Sequence, residues 1–183
     1  TVIDFANHDQ PSLIDSFKTW QAQALPNIAV DYGIHQNFTT FNEQTLAEIP
    51  LLPELGVTSI KMFTAYNGRM RLRDDEIFQA MRIAKQEGII SLIHAENGDL
   101  IDLLVKEALE SGHTEPIWHA RTRPAWGAVE SVLRTSAISF SAGNAPLYIV
   151  HMNVKEEADQ LLYARNHGLP IFGETCPQYL LFT

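Results

Sequence analysis

The chain has 183 residues, 45% hydrophobic and 19% charged, a composition able to bury a sizeable core as one globular domain. Thirteen basic against twenty-two acidic residues leave a formal charge of −9, which disfavours a nucleic-acid backbone or an anionic membrane surface as partner. The single cysteine, Cys176, excludes an internal disulfide and suits a reducing, cytoplasmic setting; no apolar run reaches the length of a membrane span, and "TVIDFANHDQ" lacks the basic-then-apolar order of a signal peptide.

Six short, β-rich apolar runs are separated by helical patterns. The first, "VIDFA" at 2–6, opens the chain as though a natural beginning lay upstream, so a fragment of a larger protein is expected. "SLIDSFKTWQAQAL" follows with apolar residues near i, i+3, i+4 spacing, then the second strand, "AVDYGIH" at 29–35, and a helix over "NEQTLAEIPLLPELG". "SIKMFTAY" at 59–66, the helix "RDDEIFQAMRIAKQEG", "IISLIHA" at 89–95 and the helix "LIDLLVKEALESG" continue the alternation. After an irregular stretch, "SGHTEPIWHARTRPAWG" at 111–127, come the helix "GAVESVLRTSAISFSAG", the strand "LYIVHM" at 147–152, the helix "KEEADQLLYARNHG" and the strand "IFGET" at 171–175. Gly56, Gly88, Gly112, Gly143 and Gly168 punctuate the helix ends, and Asn42, Asp74 and Asn153 stand at or beside the helix starts.

Strands apolar on both faces and joined by helices predict a parallel sheet covered by helices, in either an open doubly wound sheet or a β/α barrel. No glycine-rich phosphate loop follows any strand to favour dinucleotide binding. An irregular stretch as long as 111–127 is usually functional or mobile.

Three apolar strands each carry one ionisable residue near the C-terminal end: Lys61, His94 and His151. They lie about one and two strand–helix units apart, so in a barrel they can meet at the mouth where catalytic residues gather. A buried lysine is costly; it must snorkel to solvent, pair with a carboxylate, or be chemically changed. Two neutral imidazoles suit a divalent metal such as zinc, beside which a protonated lysine is a poor neighbour. A deprotonated Lys61 that takes up carbon dioxide would instead become an anionic carbamate able to bridge two metals. Structural roles stay open for all three residues. His8, His35, His113, His119 and His167 read as surface or packing residues, and Cys176 as a buried structural thiol. Glu96 and Asp99 in "HAENGD" offer an alternative acid–base reading, although acids there also suit the start of the next helix.

Taken together, "GVTSIKMFTAY", "HAENGD", "HARTRP", "YIVHMN" and "GETCPQYL" resemble the cyclic amidohydrolases, the hydantoinases and dihydropyrimidinases, over the whole chain from "VIDFA" to "PQYLLFT". The resemblance implies a (β/α)8 barrel of which residues 1–183 supply about strands two to seven, with the first and last strands and a β-sandwich domain lying outside the chain. It implies two divalent metals, usually zinc, bridged by N6-carboxylated Lys61, with His94 and His151 as further ligands, and Tyr66 as the donor that stabilises the oxyanion. A His-x-His pair expected before "TVIDFA" and an aspartate expected after "PQYLLFT" are not in the sequence. Where hydantoinases commonly carry a serine two residues after this histidine, His151, Asn153 stands, and it becomes the substrate-contact candidate. Arg69, Met70 and Arg71 either line the pocket or, in the favoured reading, are solvated. The expected activity is hydrolytic opening of a dihydropyrimidine or hydantoin ring by a homo-oligomer, a tetramer by resemblance, with the fragment alone inactive. The alternatives are an allantoinase or dihydroorotase type of hydrolase, and a non-catalytic assembly protein of the collapsin response mediator type; retention of Lys61, His94 and His151 favours the enzyme.

Overall fold

A computed structural model describes residues 1–182, and Thr183, the last residue of "PQYLLFT", lies outside the described residues. Six strands form one sheet: β1 (Val2–Ala6), β2 (Tyr32–Asn37), β3 (Ser59–Phe63), β4 (Ile90–His94), β5 (Leu147–Ile149) and β6 (Ile171–Gly173). Every neighbouring pair is parallel, and the spatial order is the chain order, β1-β2-β3-β4-β5-β6. A doubly wound sheet reverses its strand order at a switch point. This one never does, which is the winding of a β/α barrel. β1 and β6 each keep one sheet neighbour, so the barrel is partial.

The helices are α1 (Leu13–Ala24), α2 (Glu43–Glu48), α3 (Asp74–Gln86), α4 (Gly98–Glu110), α5 (Ile117–Arg121), α6 (Ala125–Ser141), α7 (Lys155–Asn166) and α8 (Pro177–Leu181). Asn42 caps α2 through its side chain, whereas α3 and α7 begin after Arg73 and Val154, next to the predicted Asp74 and Asn153. The five predicted helix-ending glycines all adopt positive φ. Among the described residues no helix is long and apolar enough to cross a membrane.

Four boundaries differ from the sequence reading. β2 starts at Tyr32 because Val2 of β1 finds its register partner there, and runs to Asn37 because Gln36 and Asn37 pair with Ile60 and Lys61. The long helix expected over 42–56 stops at Glu48; Pro50 and Pro53 have no amide hydrogen to donate, and the chain continues as two 3-10 turns. The irregular segment 111–127 contains α5. β5 ends at Ile149, before the chain reverses at His151, whose φ is 43°.

Alternation along β3 separates two environments. Ile60 and Met62 are fully buried in the apolar layer shared with Ile77 and Met81 of α3 and Val132 of α6. Lys61 and Phe63 project to the opposite face, the barrel interior. All six C-terminal strand ends therefore point to one rim, where the polar residues collect. α4 reaches that rim closely: a Cβ on Gly98 would stand 2.8 Å from Ala65 Cα. Gly98→Ala is expected to cost about 1–3 kcal/mol by forcing backbone apart; chemical unfolding should show a lower midpoint at unchanged slope, and an unchanged midpoint would contradict the close packing.

Candidate active site

Lys61 is 3% exposed, with Nζ 3.5 Å from the Phe63 ring centroid and 6.0 Å from that of Phe5. It neither snorkels nor pairs with a carboxylate. Burial pulls its amine down from 10.5 to about 7, with no opposing charge to raise it. Two of the three ways to tolerate a buried lysine are thereby removed, leaving an amine that is substantially neutral and nucleophilic at physiological pH.

His94 ends β4 and His151 follows β5, and the sheet brings His94 Nδ1 to 2.9 Å from His151 Nε2. Burial first, then the charges of His94 and Lys61, lower the His151 pKa to about 4, so its imidazole is neutral at pH 7. Nitrogens of two histidines on one tetrahedral zinc stand about 3.3 Å apart. Imidazole nitrogen is the right donor type for such an ion. Asn37, level with Lys61 across β2–β3, also has a buried Oδ1 with no partner among the described residues. The residues present thus fit part of a metal centre. Among the described residues no three His, Cys, Asp or Glu side chains form a complete one.

A cavity of about 620 Å³ opens at this rim, lined by Tyr66, His94, His151 and Asn153. Lys61 lies behind its wall, beneath Phe63. Tyr66 is held at φ 69° by its own carbonyl, which accepts from the amides of Arg69, Met70 and Arg71. Only three non-glycine residues among those described have positive φ, and two of them, Tyr66 and His151, face the cavity. Such strain, about 1–3 kcal/mol each, concentrates where a site over-determines the backbone. Burial, with Glu96 nearby, raises the Tyr66 pKa against the opposing pull of Arg123 and Arg69, keeping the phenol a proton donor. Asn153 is set by Glu157, whose Oε2 accepts from the amides of Asn153 and Val154 at 2.8 and 3.0 Å.

Several cavity residues hold places that the sequence ranks second or leaves unassigned. Glu96 is not merely a helix-entry acid: its Oε2 lies 2.7 Å from His94 Nε2. Burial alone would raise its pKa, but the hydrogen bond to His94 and the charges of His94, Arg123 and His151 outweigh that and lower it. Asp99 does not join it; the carboxylate is exposed and pairs with Arg71. His119 and Arg123, from the 111–127 segment, line the cavity, as does Met70, while Arg69 is solvated. His35, the strand histidine, has Nδ1 2.5 Å from Ser59 Oγ. Cys176 is half-buried at the start of α8 instead of buried in the core, because the chain has already left the sheet at Gly173.

Lys61 makes stability depend on pH with a definite sign. Its folded pKa is lowered to about 7 from 10.5, so between those values the unfolded chain binds more protons and stability rises with pH. Below about pH 7 both states are protonated and the fold bears the whole cost of the buried ammonium. In metal-free protein in buffer depleted of carbon dioxide, Lys61→Met is expected to be more stable at pH 6 by about 3–5 kcal/mol. The difference should shrink from pH 7 to 10 in urea unfolding. A pH-independent difference would mean that the amine is not desolvated.

No protein-family model matches the chain. It is 44% identical over 184 residues to the D-hydantoinase of Streptomyces coelicolor, an alignment covering 100% of this chain and 39% of that protein. A solved D-hydantoinase superposes with a TM-score of 0.96 at 34% identity, covering 100% of this chain and 40% of the other. Dihydropyrimidinase from Brevibacillus agri NCHU1002 superposes with a TM-score of 0.95 at 36% identity and the same coverage. The chain thus spans about two-fifths of the length of the curated relatives it matches. In sequence from end to end, and in fold, it belongs to the cyclic amidohydrolase family of hydantoinases and dihydropyrimidinases.

Proposed function

We propose that the complete protein opens a cyclic amide, a dihydropyrimidine or hydantoin ring, by hydrolysis, and that residues 1–183 form the central part of its catalytic β/α barrel. The observation that carries this reading is the pairing of a buried, uncompensated Lys61 amine with two facing imidazoles on the same rim. Neutral Lys61 adds to carbon dioxide, forming an N–C bond and releasing one proton, and the resulting carbamate replaces a cation by an anion with two ligating oxygens. N6-carboxylated Lys61, His94 and His151 would then hold two divalent ions, zinc by family resemblance, together with ligands outside this chain. When bound, such ions supply a water-derived nucleophile near neutral pH and polarise the carbonyl under attack.

The chain's own residues do the rest. The Tyr66 hydroxyl, kept protonated, donates to the oxygen that gains charge as the ring carbonyl becomes tetrahedral. Asn153, presented by Glu157 through the backbone, binds the ring amide. The cavity is large enough for a five- or six-membered ring with a substituent, and the 111–127 segment forms the wall against which that substituent rests. The reading extends to a small-molecule substrate, a cytoplasmic setting inferred from the lone cysteine, and a homo-oligomeric, tetrameric parent protein.

The test uses the full-length protein loaded with zinc in the presence of bicarbonate. Ring opening is expected with a 5-monosubstituted hydantoin and with dihydrouracil, and none with allantoin or dihydroorotate; the reverse preference would overturn the substrate reading. Tyr66→Phe should lower kcat by about 100- to 1000-fold at unchanged metal content, whereas Lys61→Ala should lose metal and activity together. Activity of Tyr66→Phe equal to that of the parent would remove the tyrosine from its role. Residues 1–183 expressed alone are expected to show no hydrolysis.

A further inference from the structure

Glu96 is explained neither by helix capping nor by the ring-opening roles. The N-cap of α4 is Asn97, whose Oδ1 accepts from Leu100 N at 3.0 Å, and the first-turn acid is Asp99. Glu96 turns the other way, towards the barrel mouth, with its side chain 13% exposed and Oε2 2.7 Å from His94 Nε2. Its backbone is pinned on both sides by one hydroxyl: Thr64 Oγ1 accepts from Glu96 N at 3.0 Å and lies 2.8 Å from Glu96 O. Thr64 itself is fully buried, and its hydroxyl is also 2.8 Å from His94 O and from Ser131 Oγ. The second carboxylate oxygen, Oε1, faces Arg123 Nε at 3.8 Å.

A neutral histidine offers one N–H and one lone pair, and an ionised carboxylate only accepts. The nitrogen facing Glu96 must therefore carry the proton. In the neutral ring the lone pair is then on Nδ1, the nitrogen aimed at His151 Nε2. Without Glu96 the two tautomers would compete, and half of the choice would direct N–H into the position where a ligand lone pair is needed.

We propose that Glu96 is a positioning residue that holds His94 as its Nε2–H tautomer and presents the Nδ1 lone pair to the rim it shares with His151. The consequence for metal affinity rests on the proposed metal centre; the tautomer does not. Carboxylates that orient a ligating histidine in this way typically contribute 10- to 100-fold to metal affinity.

The test has two readouts. In metal-free protein labelled with 15N-histidine, long-range proton–nitrogen correlations report each ring's tautomer, with His94 assigned by the signals lost in His94→Gln. His94 is expected to be protonated at Nε2 in the parent and in Glu96→Gln, which keeps a carbonyl acceptor. Glu96→Ala, and Glu96→Asp, which keeps the charge near Arg123 but draws it back from the ring, should show the Nδ1–H form or a mixture. Zinc titration against a competing chelator should show affinity lowered about 10- to 100-fold in the Ala and Asp variants and much less in Gln. If Glu96→Ala does not fold, Glu96→Asp decides.

An Nδ1–H His94 in the parent, or an unchanged tautomer and zinc affinity in the Asp variant, would overturn the proposal. A parent protein that binds no zinc yet shows the tautomer response would overturn the metal reading and leave the positioning role standing.

Discussion

The rest of the site depends on an amine buried without a counter-charge. Lys61 sits on the inner face of β3 between aromatic rings, where the fold offers only cation–π contacts with Phe63 and Phe5. Those contacts recover part of the lost hydration, roughly 2 kcal/mol for a desolvated pair. The remainder shows as a pKa drawn down to about 7. Paired with a carboxylate, the same lysine would be a permanently charged structural element. Left unpaired, it is primed for chemistry at its nitrogen when neutral, and in its protonated form it adds to the burial that lowers the His151 pKa.

Around that amine the fold supplies rigidity through polar contacts between elements distant in sequence. The Thr64 hydroxyl ties the end of β3 to the end of β4 and to α6. Thirty residues separate Thr64 from His94, and sixty-seven separate it from Ser131. Glu157 performs a similar task at the α7 entry, fixing the backbone that carries Asn153. Buried polar groups of this kind rigidify a site when every member is satisfied. Close packing of Gly98 on Ala65 completes the frame beside Tyr66.

The strands were legible because parallel strands buried on both faces read as unbroken apolar runs, and Lys61, His94 and His151 stood out as lone ionisable residues within them. Boundaries were less so, since β2 takes Gln36 and Asn37 into the sheet only because β3 offers them partners. Glu96 was hard to assign because an acid just before a helix has an adequate local explanation; the turn towards His94 is a tertiary fact. His119 and Arg123 lie in a segment without periodicity, where nothing local indicates which side chains face a cavity. Cys176 was misjudged because its apolar neighbours in sequence are exposed in space, Leu180 and Leu181 being 73% and 74% accessible.

The sequential strand order also bears on how the site comes into being. Each of β2 to β6 pairs with the strand made just before it, one or two strand–helix units earlier in the chain. Sequential pairing of this kind matches the direction of synthesis, in which N-terminal parts emerge first. β3, carrying Lys61, has a neighbour in β2 before β4 is made, and His94 then takes its place before His151 exists. The rings that flank the lysine amine, Phe5 on β1 and Phe63 on β3 itself, are thus in the chain before either imidazole of the rim is made.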